Sequence, residues 1–107
     1  MPQLKVSDTL LADVNNYLDH TWTDGARDRK VRGFILSGMV YINDKLGENA
    51  NFEEEGAPRT LLFEFVRYAR DGAMDLFETN YKSMILAMQN KKAVSDYAKQ
   101  STVSPQQ

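Results

Sequence analysis

The stretch PRTLLFEFVRYARDGAMDLF, Pro58–Phe77, decides how the chain folds. Leu61, Leu62, Phe65, Val66, Tyr68, Ala69, Ala73, Leu76 and Phe77 recur in steps of three and four, the spacing of one face of an α-helix. Arg59, Glu64, Arg67, Arg70, Asp71 and Asp75 fill the other face. Pro58 suits the first helical position, where its missing N–H is no loss. The pattern predicts a long third helix with a kink or break near 78–80. Asn80 would recap the chain there before Tyr81, Met84, Ile85 and Met88.

Upstream the same periodicity appears twice. Leu10, Leu11, Val14, Tyr17 and Leu18 predict a short helix over about 8–19, with Ser7 as its N-cap and Asp8 at the positive end of the dipole. Val31, Phe34, Ile35, Gly38, Met39, Ile42 and Leu46 predict a second helix over 25–46, capped by Asp24 and ended by Gly47. Gly38 lies on the apolar face, which points to close approach of another helix. Between the second and third helices, Glu48–Ala57 is acidic and aperiodic, a loop with Phe52 as its apolar plug. Apolar residues thin after Gln89 to Ala93, Val94, Tyr97 and Val103. This divides the chain into a helical domain, 1–92, and a flexible tail, 93–107. The expected fold is all-α, a small bundle of about four helices.

With 107 residues the chain holds one domain, and a core of that size is marginal without a neighbour. It has no cysteine, which excludes disulfides and thiolate metal sites. No apolar run approaches the roughly 18 residues that cross a bilayer, and the N-terminus lacks the apolar core of a signal peptide. A cytosolic site of synthesis is expected. The charge is uneven: residues 1–56 carry 6 Lys/Arg against 10 Asp/Glu, and residues 57–107 carry 7 against 5. General nucleic-acid binding, which needs a basic surplus, is disfavoured. A chain with an acidic and a basic part could instead associate head to tail.

The one histidine and the one tryptophan sit together in YLDHTWTDG, Tyr17–Gly25. Zinc at His20 would need three further ligands from Asp or Glu alone. Acid–base work would need Asp19 or Asp24 paired with His20 beside a nucleophile. Neither arrangement has a sequence signature. The stretch reads as a corner in which Trp22 packs over the junction and Asp24 caps the second helix. No phosphate-binding, metalloprotease or nucleophile-elbow motif occurs, so no catalytic residue, metal or cofactor is expected. Glu53, Glu54 and Glu55 read as a solvated loop or as a contact with another subunit. Arg67 and Arg70 read as intrahelical pairs or as the basic side of that contact. Met39, Met74, Met84 and Met88 read as core filler.

Three runs carry a resemblance: VSDTLLADVNNYLDHTW, GFILSGMVYINDKLG and RTLLFEFVRYARDGAMDLFETNY. In order and spacing they resemble the head–tail connector (adaptor) proteins of tailed phages, over roughly Val6 to Gln89. His20 stands where an aliphatic residue is more usual in that family. The resemblance implies a non-enzymatic ring, typically of twelve copies, docked below the portal protein of the filled head. A tail-completion or stopper protein would bind beneath it, and DNA would pass through without specific contact. Its place would be the virion, and the host cytoplasm during assembly, with no membrane partner. The rival expectation is a helix-turn-helix DNA-binding module whose reading helix opens with Arg27-Asp28-Arg29-Lys30-Val31-Arg32. An enzyme is a distant third.

Overall fold

The computed structural model describes residues 4–20 and 24–103, with side chains to Lys99. Four helices follow one another: α1 (Asp8–Tyr17), α2 (Gly25–Leu46), α3 (Ala57–Arg70) and α4 (Met74–Val103). The expected N-caps are in place. Ser7 accepts from the Leu10 amide at 3.0 Å and Asp24 from the Arg27 amide at 3.1 Å. Gly47 ends α2 in the left-handed conformation, as its position predicted.

α2 and α3 form the widest helix pair, and α1 and α4 close over them. The core gathers Leu10, Val14, Ile35, Ile42, Leu61, Leu62, Val66 and Phe77, each with almost no exposed surface. Gly38 is the point of closest approach. A Cβ there would lie 2.7 Å from Leu62 Cδ1 and 2.9 Å from Phe65 Cδ1, so only glycine lets α3 sit this near α2. Phe52 is buried and plugs the acidic loop onto the core. Phe77 centres an aromatic cluster, with ring centroids 5.2–5.8 Å from Tyr41, Phe65, Tyr68 and Tyr81. The Tyr81 ring stacks on Phe77 and the other three meet it edge-on, arrangements that add about 0.5–1.5 kcal/mol each beyond the area they bury.

Three expectations fail. The third helix is not long: it stops at Arg70, and the break lies at Asp71–Ala73 rather than at 78–80. Gly72 takes φ 68°, the Gly72 amide donates to Ala69 O and the Ala73 amide to Tyr68 O. That is a Schellman cap, for which glycine is the favoured residue. Asn80 lies inside α4. The three-residue interruption left the apolar period almost in phase, which hid the break in the sequence. Leu76, counted with the core, is half-exposed as a result. The third difference is at the end of the chain, where residues 93–103 continue α4 instead of opening a tail. No Gly or Pro interrupts them, and Lys92 bonds Asp96 one turn on at 2.5 Å.

The molecule is elongated. Its radius of gyration is 16.1 Å with a long axis of 61 Å, against about 13 Å for an ordinary compact domain of this length. α4 alone, with 30 residues, runs about 45 Å.

Candidate functional site

The corner between α1 and α2 is held by hydrogen bonds. Asp19 adopts φ 63°, the Asp19 amide donates to Asn16 O at 3.1 Å, and the His20 amide donates to Asn15 O at 2.9 Å. This is a second Schellman cap, built on an aspartate. The His20 Nδ1 lies 2.8 Å from Asn15 Oδ1, and Asn15 Nδ2 donates to Asp28 Oδ1 at 3.1 Å. The Asn15 amide thus ties α1 to the first turn of α2, with the His20 ring on its other side. Burial, then the nearby Arg27 and Arg70 guanidiniums, lower the His20 pKa from its usual value. Among the described residues no group of three or more His, Cys, Asp or Glu side chains converges as a metal site would require. Trp22 lies outside the described residues; Asp24 caps α2 as expected.

The acidic loop and the two arginines are not brought together within one subunit. Glu53–Glu55 precede α3, whereas Arg67 and Arg70 lie in its last turn, about 20 Å away along a helix of 14 residues. Each group has partners of its own. Glu53 accepts from Ser7 Oγ at 2.8 Å, and Glu55 lies 3.8 Å from Arg59. Arg59 also binds Asp13 at 2.9 Å and donates to Phe52 O, which fastens the loop to α1. Arg67 grips Glu64, one turn back, at 2.5 Å and lies over the Tyr68 ring. The Glu64 hydrogen bond raises the Arg67 pKa. Arg70 binds Asp71 at 2.9 Å and donates to Leu18 O at 3.2 Å. Its hydrogen bond lowers the Asp71 pKa. Only Glu54 of the five has no such contact among the described residues, and it is exposed. Arg32, in the candidate DNA-reading run, is drawn to Asp8 at 2.7 Å and to Val6 O.

The sequence reading missed the surface that the fold leaves open. On α4, Phe77, Ile85 and Met88 turn inward, and residues 93–99 are all exposed. Leu86, Val94 and Tyr97 expose 49, 68 and 72% of their surface on the far side of the helix. Lys91, three residues before Val94, flanks that stripe. On α2, Leu36 and Val40 are likewise exposed, with Asp44 one turn on. Beside them Leu4, Val40, Asn43, Asp44, Gly47, Glu48 and Asn49 line an open groove of about 420 Å³. Its lining has two carboxylates and no basic side chain. A signal existed: Leu76, Leu86, Val94 and Tyr97 fall outside the row that holds Phe77, Ile85 and Met88. Comparison of the chain with family models, curated proteins and solved structures finds no match.

Proposed function

We propose that this chain is a head–tail connector of a tailed phage, a structural subunit that works as one member of a ring below the portal protein. The observation that carries the reading is α4. Its first half seals the core, and its second half is a helix with seven consecutive exposed residues, 93–99, two of them large and apolar. A bundle with one helix left uncovered over about two turns is suited to being covered by another chain. The residues of the resemblance support the reading at the level of fold, since they fill the N-cap, close-approach and helix-end positions at Ser7, Gly38 and Gly47. A ring requires two different patches that meet around the axis. One apolar and basic patch on α4 and one apolar and acidic patch on α2 meet that requirement.

Native mass measurement of the protein, alone and mixed with the portal ring of its phage, tests the proposal. The expected result is a portal complex that carries one closed set of copies. A monomer that ignores the portal and binds duplex DNA at moderate salt would overturn it in favour of the DNA-binding reading.

A further inference from the structure

We infer that the second half of α4, through Lys91, Val94 and Tyr97, docks into the α2 groove of a second copy of this chain, against Val40 and Asp44. The inference rests on the head-to-tail part of the connector reading and names the two surfaces that meet. It also moves the expected contact away from Arg67 and Arg70, which Glu64 and Asp71 already hold within the subunit.

Charge complementarity identifies the occupant. The groove offers an apolar floor, Leu4 and Val40, with exposed Asp44 at its rim beside Glu48, which its own Lys92 already pairs at 3.8 Å. The α4 stripe offers apolar side chains with a lysine beside them, and Val94 and Tyr97 are the two most exposed large apolar residues of the chain's described part. Each surface supplies what the other lacks. Within one subunit α4 reaches this rim only through Lys92, 3.8 Å from Glu48, and not through Val94 or Tyr97. Tyr97 lies nine residues beyond Met88, two and a half turns, and so faces away from the side of α4 that packs on its own bundle. Because α4 is a continuous helix to Val103, the arm is held out rather than free to fold back. A contact between two different patches repeats from copy to copy, and it closes into a ring or extends as a filament.

The absence of cysteine from the chain makes the test direct, since any disulfide must come from the introduced thiols. Val40→Cys and Tyr97→Cys, both at exposed positions, are prepared as separate proteins. They are mixed under mild oxidation at increasing concentration. The inference predicts a covalent dimer in the mixture, little in either protein alone, and a ladder of covalent oligomers from the double variant. Lys91→Glu in the Tyr97→Cys protein should slow crosslinking up to about fivefold, the factor carried by an exposed ion pair of about 1 kcal/mol. Asp44→Lys in its partner should restore the rate. Self-crosslinking of Tyr97→Cys would instead show α4 pairing with α4 and would overturn the inference, as would a mixture that stays monomeric. Oligomers seen by mass without the 40–97 disulfide would discard this contact and leave head-to-tail assembly standing. A ladder that does not engage the portal would keep the contact and discard the connector reading.

Discussion

The two halves of α4 share a helix and little else. From Met74 to Met88 the helix is shaped by what it covers: Phe77 sits among four other aromatic rings, and Ile85 and Met88 are buried in the core. From Gln89 onward it is held by helix-internal terms and two polar contacts to the end of α2 and the loop after it. Lys92 pairs with Asp96 at 2.5 Å and with Glu48 at 3.8 Å, and Gln89 donates to Lys45 O. Such exposed contacts contribute a few tenths of a kcal/mol each. An isolated helix of about 12–15 residues is marginal in water because nucleation is costly. Here the packed half supplies the nucleus and the second half extends from it. The difference teaches where stability and function separate: the first half holds the fold, and the second is available to a partner at little cost to it.

The largest expected effect breaks the packed half. Phe77→Ala removes the centre of the aromatic cluster and should destabilise the chain by about 3–5 kcal/mol, measured by urea unfolding. A loss below 1 kcal/mol would mean that α4 does not seal the core.

Next comes pH. Burial, reinforced by the Glu78 carboxylate, pushes the Tyr41 phenol up to about 12, and burial with Glu64 does the same for Tyr81. Both bonds join the first half of α4 to the bundle, at 2.5 Å for Tyr41–Glu78 and 2.7 Å for Tyr81–Glu64. The folded state holds these protons more tightly than the unfolded chain. Their contribution is therefore full below pH 10 and is lost as pH rises towards 12. The melting temperature should fall across that window, and Tyr41→Phe with Tyr81→Phe should flatten the fall.

A smaller effect tests the seat of α3. Gly38→Ala gains about 1 kcal/mol of helix propensity but forces Leu62 and Phe65 apart, a cost of about 1–3 kcal/mol. Net destabilisation is expected. Gly33→Ala on the same helix meets nothing within 4 Å and should stabilise instead. Equal effects at the two sites would refute the close approach.

The smallest effect sharpens the comparison from the other side. A chain ending at Lys92 should melt within about 0.5 kcal/mol of the full protein, as surface changes do, while losing assembly. A large loss of stability would show that the second half belongs to the fold.

Much of this architecture was legible in the sequence. Ser7 and Asp24 announced their helices, Gly47 its end, Gly38 its neighbour and Phe52 its plug, because each depends on a few adjacent residues. The break at Gly72 was not read, although Asp71-Gly72 is a turn signal, because Ala73, Leu76 and Phe77 kept the helical period running across it. The candidate site was less legible still. Charge counts over the two halves suggested an acidic and a basic surface, but Arg67 and Arg70 find Glu64 and Asp71 within one turn. Which lysines remain for a neighbour depends on the three-dimensional packing of α4, and composition carries no trace of that.

Amide hydrogen exchange along α4, measured as a function of protein concentration, tests the central claim most directly. In dilute solution the account predicts slow exchange from Phe77 to Met88, set by global unfolding, and fast exchange beyond Gln89, set by local opening. As concentration rises into the range where mass measurement shows assembly, residues 90–99 and the α2 segment 40–48 should become protected together. Protection of the second half equal to the first at high dilution, or continued fast exchange there in the assembled state, would contradict the account.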